Sequence, residues 1–168
     1  KIFIYRIMEH AYASCVLRYL GERSCHQCAT SVHLEVSIVS YFIRPYTEKD
    51  FEQIQTLNET GGWTQLVVRS DETRQAWDHS NVAYVIEVDG LIVAYVRGMT
   101  DTAVSLYICE LLVAASHRRL GLGEQLLTYV HSRYPTTRLE MLASASSQTY
   151  YEKLNFRPFY GYRKTIHE

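Results

Sequence analysis

An apolar segment that runs into a two-glycine loop and then into a helix-like segment constrains the fold of this chain most. The apolar run ends at Val113, two arginines stand at 118 and 119, and glycines occupy positions 121 and 123. Glycine adopts backbone angles that expose successive N–H groups, and the N-terminus of a helix predicted over 124–133 adds a positive potential. The segment therefore predicts a strand followed by an anion-binding loop, and a pyrophosphate is a suitable ligand for that loop.

Strand-like and helix-like segments alternate along the chain from residue 41. The Asp89-Gly90 pair between two apolar runs indicates a hairpin. This order of elements indicates an α/β fold built on a mixed sheet. The predicted strands are 41–45, 82–88, 91–98, 103–114, 138–143 and a closing strand from Phe156, and the predicted helices are 47–58, 71–79, 124–133 and 146–154.

Composition is typical of a globular protein with one main domain. The chain has 168 residues, of which 47% are hydrophobic, and this suffices for a sizeable core. A formal net charge of −1, without a basic run interleaved with aromatics, argues against a nucleic-acid partner. No apolar run approaches the ~20 residues that span a bilayer, and no signal-peptide pattern opens the chain. We therefore expect a soluble, cytoplasmic protein without a membrane partner.

Residues 1–40 differ from the rest in composition, because they are low in charge and rich in cysteine, serine, histidine and tyrosine. We interpret them as an N-terminal extension of unknown role, ahead of a domain at 41–168. A helix is predicted over 6–20 and a strand over 32–39.

Four cysteines are too few for a disulfide scaffold in a chain of this length. Cys25, His26, Cys28 and His33 have the side chains of a zinc site, but no second Cys-x-x-Cys pair or spaced histidine pair completes a tetrahedral set. We predict free thiols and no metal, with a zinc-linked interaction of this segment as the alternative.

Two motifs resemble one known family. The spacing Arg118-x-x-Gly121-x-Gly123 resembles the acyl-CoA pyrophosphate loop of the GCN5-related N-acetyltransferases (GNAT family), and Glu110-Leu-x-Val113 resembles that family's fourth strand. Further along, the segment 147–156 is similar to the family's Ala-x-x-hydrophobic-Tyr-Glu-Lys-x-Gly-Phe motif. The two motifs stand in the order and spacing that the family shows.

This sequence departs from the family pattern at three positions. Ser147 replaces the usual alanine, Asn155 replaces the usual glycine, and Ser144 stands where many members place an asparagine that binds the pantetheine arm. Asparagine tolerates positive φ, so Asn155 is still able to end a helix.

The resemblance implies a GNAT-like fold, with a mixed, mostly antiparallel sheet flanked by helices. In this family the fourth and fifth strands, here 103–114 and 138–143, splay apart so that pantetheine inserts between them. The implied function is an acetyl-CoA-dependent N-acetyltransferase, with acetyl-CoA as co-substrate, that acetylates a primary amine by direct attack in a ternary complex. Propionyl and succinyl groups remain open. The alternative is a catalytically inactive acyl-CoA-binding or partner-binding module on the same fold.

The resemblance also implies the site residues. Glu110 would act as base through ordered water, and Tyr151 would donate a proton to the departing thiolate. Glu110 is also interpretable as a structural strand carboxylate, Tyr150 is the rival proton donor, and either tyrosine is interpretable as a packing aromatic. The implied cofactor-binding residues are Leu112, Val113, Arg118, Arg119, Leu120, Gly121, Leu122, Gly123, Glu124, Ser144 and Ser147.

The amine acceptor is the feature that the sequence constrains least. Acidic residues outnumber basic ones over 48–78, which suits a cationic amine such as a polyamine, an aminoglycoside or a lysine side chain, although a solvated helical face explains the same charges. Trp63 and Trp77 either line the acceptor pocket or fill the core. The tyrosine-rich segment 159–162 suggests a homodimer interface, or alternatively closes the chain's own sheet.

Overall fold

The computed structural model describes residues 2–6 and 38–166, and its side chains from residue 41 onwards. Within that part of the chain six strands form one sheet in chain order. Neighbouring strands are antiparallel, except that β5 and β6 are parallel. The predicted mixed, mostly antiparallel sheet is therefore confirmed. The strands are β1 (Ile2–Arg6), β2 (Ile38–Pro45), β3 (Val82–Val88), β4 (Leu91–Thr100), β5 (Ser105–Val113) and β6 (Arg138–Met141).

Helices cover both faces of the sheet. Alternation along the strands directs neighbouring side chains to opposite faces, so that Ile86 joins one core and Val85 the other. On one face pack Leu122, Leu126 and Val130, and on the other Phe51, Ile54 and Trp77. The helices are α1 (Phe51–Thr60), α2 (Thr64–Val68), α3 (Ser70–Asp78), α4 (Leu122–Arg133) and α5 (Gln148–Lys153).

A buried carboxylate ties the start of α1 to β2. Arg44 donates from Nη1 and Nη2 to the two oxygens of Asp50, at 2.7 and 2.8 Å, and the Thr47 backbone N–H donates to Asp50 Oδ2 at 2.7 Å. Burial raises the pKa of Asp50, but the hydrogen bonds from Arg44 and Thr47 outweigh it and hold that pKa below its ordinary value. This contact therefore links the residue before α1 to the end of β2.

Replacing Asp50 with asparagine should lower the free energy of unfolding at neutral pH by about 2 kcal/mol, because Arg44 loses a charged acceptor. A depressed folded pKa stabilises the protein fully above the unfolded carboxyl pKa of ~3.9, and the contribution is lost as the pH falls below that value through the folded pKa. Denaturant unfolding of both proteins from neutral to acid pH should show a difference in the free energy of unfolding that disappears in acid. A difference that is constant with pH would contradict this role.

The C-terminal segment does not complete the sheet. The predicted closing strand from Phe156 is wrong, since residues 154–166 form no strand in the described structure. Residues with high strand propensity form a strand only when a neighbouring strand pairs with them, and Pro158 has no N–H to donate to such a strand. The Phe159 and Tyr162 side chains are 85% and 97% exposed, so they do not pack against the sheet. The homodimer through this segment stays a prediction.

At the N-terminal end, Arg6 closes β1 and residues 38 and 39 lie in β2, so part of the predicted extension pairs with the sheet. The rest of the helix predicted over 6–20 and the cysteine–histidine cluster lie outside the described residues.

β5 is shorter than the predicted strand 103–114. The Asp101 carboxylate accepts hydrogen bonds from the backbone N–H groups of Ala103, Val104 and Ser105, at 2.8 to 3.0 Å, and so holds a turn where the prediction placed strand. β6 likewise ends at Met141, short of the predicted residue 143.

Candidate active site

β5 and β6 separate halfway along β5. Their parallel pairing begins at Ser105 opposite Arg138 and ends at Ile108 opposite Met141, while β5 continues to Val113. The predicted splay of these two strands is therefore present. In the part of the chain that the structure describes, it leaves one edge of β5 without a strand partner over 109–113.

The free edge of β5 offers backbone hydrogen-bonding groups. On its other side β5 remains paired to β4, and the Ala114 N–H donates to the Val93 carbonyl at 2.8 Å. Because alternate residues of a strand direct their N–H and C=O groups to opposite sides, Leu111 and Val113 turn these groups away from β4. Leu112, one of the predicted cofactor-binding residues, turns its backbone groups towards β4 and its side chain into the core. The edge available to a ligand thus belongs to Leu111 and Val113.

A β-bulge at Cys109 places the Glu110 side chain on the opposite face of the sheet from Ile108. Arg97 pairs with Glu110 but Gly98 pairs with Ile108, so Cys109 has no counterpart on β4. Simple alternation would put Ile108 and Glu110 on one face, whereas the bulge places Ile108 in the core under α4 and Glu110 on the face covered by α1 to α3. A Cβ at Gly98 would lie 2.6 Å from the Tyr107 carbonyl oxygen, so this close approach requires glycine. Bulges of this kind are frequent beside active sites.

Glu110 forms a two-point ion pair with Arg97. Arg97 Nε donates to Glu110 Oε2 at 2.9 Å and Nη2 donates to Oε1 at 2.5 Å, and Nη1 donates to Ser80 Oγ at 3.0 Å. Burial lowers the pKa of Arg97, but the hydrogen bonds and charge of Glu110 outweigh it and raise that pKa above its ordinary value. Two ionised carboxylate oxygens have about four acceptor positions, so Glu110 retains acceptor capacity beyond the two bonds from Arg97.

A cavity of about 290 Å³ opens beside Glu110. Its other walls come from the turn after α1 and from the first residues of α2. The lining residues are Gly62, Trp63, Thr64, Gln65, Leu66 and Glu110.

The turn after α1 fixes the position of Trp63. Gly62 has φ of 79°, and the Trp63 N–H donates to the Asn58 carbonyl at 2.8 Å. A Cβ at Gly61 would lie 3.0 Å from a methyl carbon of Leu112, so the end of α1 sits directly on β5. The Trp63 ring meets the Tyr95 ring edge-on, with centroids 6.5 Å apart. These contacts position the Trp63 side chain in the lining of the cavity, whereas Trp77 is buried in the core.

The predicted anion-binding loop follows β5 after a 3-10 turn at Ala115–His117. Arg119 and Gly121 adopt φ of 66° and 77°, and α4 begins at Leu122, two residues earlier than predicted. Left-handed residues before a helix turn backbone N–H groups to one side, and the first N–H groups of a helix have no partner within it. Arg118 donates from Nε to the Val113 carbonyl at 3.2 Å, which links the loop to the free edge of β5.

The first turn of α4 carries Leu122, Gly123 and Glu124 of the predicted set, with Leu120 just ahead of it. Leu122 and Gly123 are buried, whereas the Glu124 side chain is exposed. Arg118 and Arg119 are also exposed. The loop and helix start therefore present two exposed cations next to outward N–H groups.

The two tyrosines of α5 occupy different places. The Tyr150 hydroxyl lies 2.7 Å from the position that a Cβ on Gly123 would take, so this phenol rests over the first turn of α4. The Tyr151 ring packs against Tyr150 and Phe156, with centroid distances of 5.1 and 5.6 Å, and contacts the core under α4. Burial raises the pKa of Tyr151 and, with the charges of Tyr151 and Glu124, raises the pKa of Tyr150 to about 12. Both phenols are therefore protonated at neutral pH.

The serines before α5 bond chiefly to each other. Ser144 Oγ lies 3.0 Å from Ser147 Oγ, in a 3-10 turn that leads into the helix. Asn155 adopts φ of 62°, so it ends α5 in the left-handed conformation expected of it.

Sequence reasoning missed three contributors to this region, namely the Arg97 partner of Glu110, the bulge at Cys109 and the place of Tyr150 over Gly123. Arg97 and Glu110 lie 13 positions apart, and only strand register brings them together. An isolated arginine in a strand was the signal available in the sequence.

Over residues 2–6 and 38–166 no group of three or more histidine, cysteine, aspartate or glutamate side chains is placed to hold a metal ion. In the same part of the chain no helix is long and apolar enough to cross a membrane.

Known proteins share this sequence pattern and fold. Residues 79–158 match the family model described as the acetyltransferase (GNAT) domain. A GNAT-family acetyltransferase from Streptococcus pneumoniae TIGR4 is 18% identical over 77% of this chain and 99% of its own, with a TM-score of 0.64. No curated protein sequence matches the chain significantly.

Two further solved structures share the fold. A GCN5-related N-acetyltransferase from Ralstonia eutropha JMP134 is 20% identical over 76% of this chain and 99% of its own, with a TM-score of 0.62. Glucosamine-6-phosphate N-acetyltransferase from Arabidopsis thaliana is 16% identical over the same shares, with a TM-score of 0.55. The segment 79–158 therefore belongs to the GNAT acetyltransferase family, and the sheet and helices around it have the GNAT fold.

Proposed function

We propose that this chain is an acetyl-CoA-dependent N-acetyltransferase that acetylates a primary amine by direct attack in a ternary complex. One observation carries the proposal: the free edge of β5, at Leu111 and Val113, connects the anion-binding loop at one end to Glu110 and its cavity at the other. A co-substrate with a pyrophosphate, an amide-bearing arm and a reactive thioester requires these three features in this order.

The residues present fit acetyl-CoA. Outward N–H groups of the loop and of the first turn of α4, with Arg118 and Arg119 nearby, would hold the pyrophosphate. The edge at Leu111 and Val113 would pair with the pantetheine amides in the manner of an added strand. A Cβ at Gly123 would lie 2.7 Å from the Tyr150 hydroxyl, so glycine at this position leaves space for that phenol over the first turn of α4.

Acetyl-CoA would supply an activated acyl group, and the chain's own residues would manage the protons. An alkyl ammonium has a pKa near ~10.4, so the amine must lose a proton before its nitrogen attacks the acetyl carbon. Glu110, with acceptor positions left beyond Arg97, would hold a water that takes this proton. As the new C–N bond forms and the C–S bond breaks, the Tyr151 hydroxyl would protonate the departing thiolate. The newly bonded nitrogen would lose its extra proton, which would return to the Tyr151 oxygen.

The transfer itself is testable by mixing the protein with acetyl-CoA and a small primary amine. We expect release of free thiol that depends on the amine, together with one acetylated amine for each thiol, measured by a thiol-reactive dye and mass spectrometry. Saturable acetyl-CoA binding with no transfer to any amine would favour the alternative, a catalytically inactive acyl-CoA-binding module.

Replacing Tyr151 with phenylalanine should lower kcat by about 100-fold and leave acetyl-CoA affinity unchanged, because the ring still packs while the proton donor is lost. Since burial raises the pKa of Tyr151 above ~10, wild-type kcat should show no alkaline decline from this group below that pH. Tyr150→Phe is the matched control and should retain kcat. If the Tyr150 variant loses kcat and the Tyr151 variant does not, the proton donor is Tyr150.

A further inference from the structure

Among the described residues, none contributes an uncompensated charge to the cavity beside Glu110. Within residues 38–166, Glu110 is the one ionisable side chain that lines it, and both Glu110 oxygens accept hydrogen bonds from Arg97. The other side chains in the lining are neutral, and two of them, Trp63 and Leu66, are apolar. A second or third ammonium group on a ligand would meet no anionic side chain among the lining residues beyond Glu110.

The acidic residues between 48 and 78 lie elsewhere. Asp50 is buried against Arg44, and Glu52 and Glu72 pair on the surface with Arg74 and Arg69. None of them lines the cavity beside Glu110. The surplus of acid in the sequence therefore belongs to helix surfaces and to the start of α1.

One wall of the cavity beside Glu110 is aromatic and packs against further rings. The Trp63 ring contacts the Tyr95 ring edge-on. Tyr95 in turn donates a hydrogen bond to Asn58 and contacts the Trp77 ring edge-on. The turn that presents Trp63 is seated against Leu112. A fixed indole beside a single charge-balanced carboxylate suits one apolar or aromatic group attached to one amine.

We infer that the acceptor is a small monoamine with an apolar or aromatic body, and that Trp63 is a specificity-determining wall for that body. This rests on the proposed function, since it names the acceptor class of the same site. A volume of about 290 Å³ is at the lower end of ligand cavities, and it accommodates one ring with a short linker.

The test compares kcat/KM for 2-phenylethylamine, spermidine, kanamycin and a lysine-containing peptide under one set of conditions. We expect kcat/KM for 2-phenylethylamine to exceed that for each other amine by about 10-fold or more. One additional apolar contact in a pocket changes kcat/KM by a factor of this size. Its KM should vary little with ionic strength, because no net charge in the cavity attracts it. A preference for spermidine, kanamycin or the peptide would overturn the inference.

Trp63→Ala should raise KM for 2-phenylethylamine by about 10-fold through loss of the wall, with little change in kcat or in acetyl-CoA affinity. Trp63→Phe, which keeps an aromatic face, should recover most of the loss. Equal effects of both variants on all four amines would overturn the role given to Trp63. Acetyl-CoA binding and thermal unfolding report whether each variant is folded.

Amine binding to the protein saturated with CoA, which has no acetyl group to transfer, separates this inference from the proposed function. Ligand-observed NMR should detect 2-phenylethylamine bound to wild type and not to Trp63→Ala. Binding of this kind without any transfer from acetyl-CoA would overturn the transferase proposal alone. Absence of amine binding by a protein that binds CoA would overturn the acceptor inference alone.

Discussion

Replacing Gly121 with valine is expected to weaken acetyl-CoA binding by about 100-fold or more. Gly121 adopts φ of 77°, a conformation that a β-branched residue avoids, so the loop would have to rebuild and turn its N–H groups elsewhere. Hydrogen bonds to a charged group contribute about 1.5–3 kcal/mol each, so loss of two of them corresponds to at least this factor. Isothermal titration calorimetry of acetyl-CoA measures the change directly.

Gly90→Val is the matched control for this substitution. Gly90 has φ of 81°, nearly the same as Gly121, but it lies in the β3–β4 hairpin, where a Cβ would have no neighbouring atom within 4 Å. Both variants should lose stability by about 1–3 kcal/mol through the same backbone strain. Only the Gly121 variant should lose acetyl-CoA affinity, and equal losses in both would mean that strain, rather than the loop's N–H groups, governs binding.

Replacing Glu110 with glutamine should lower kcat by about 100- to 1000-fold, within the range of general base catalysis, with acetyl-CoA affinity unchanged. A neutral amide at this position no longer attracts the proton of a bound ammonium through water. The substitution should also lower the free energy of unfolding by about 2 kcal/mol, because buried Arg97 loses its charged partner. Steady-state kinetics well below the melting temperature separates the two effects.

Ser80→Ala tests whether the loss reflects catalysis or the structure of the ion pair. Ser80 accepts from Arg97 Nη1 at 3.0 Å, so its removal loosens Arg97 and leaves the Glu110 carboxylate in place. We expect a loss of about 1 kcal/mol in stability and a change in kcat of only a few-fold. An equal fall in kcat in both variants would show that Glu110 acts by holding Arg97 rather than as the base.

Local patterns predicted the elements whose determinants are short-range. Strand β3 has the predicted bounds, Val82–Val88, because an apolar run ended by Asp89-Gly90 specifies both the strand and its turn. The glycine loop and Asn155 likewise adopt the left-handed conformations that their residue types favour. Such features depend on the intrinsic backbone preferences of single residues and short turns.

Features that depend on strand register and on neighbouring strands could not be predicted from the sequence. The Arg97–Glu110 pair and its face on the sheet depend on one extra residue, Cys109, which no local pattern marks. Aromatic residues after Phe156 have strand propensity, but no neighbouring strand pairs with them in the described structure. The surplus of acidic residues over 48–78 fits either a cationic acceptor or a solvated helical face, because charge counts carry no information on which face of a helix the charges occupy.

The loop before α4 and the free edge of β5 together form the proposed acyl-CoA site, on which the proposed function depends. Calorimetric titration of acetyl-CoA into the purified wild-type protein tests this site most directly. We predict saturable binding of one acetyl-CoA per chain, with CoA binding at similar affinity because the loop and the strand edge do not contact the acetyl group. A folded protein, free of ligand, that takes up neither compound would contradict the proposal and leave only a shared fold.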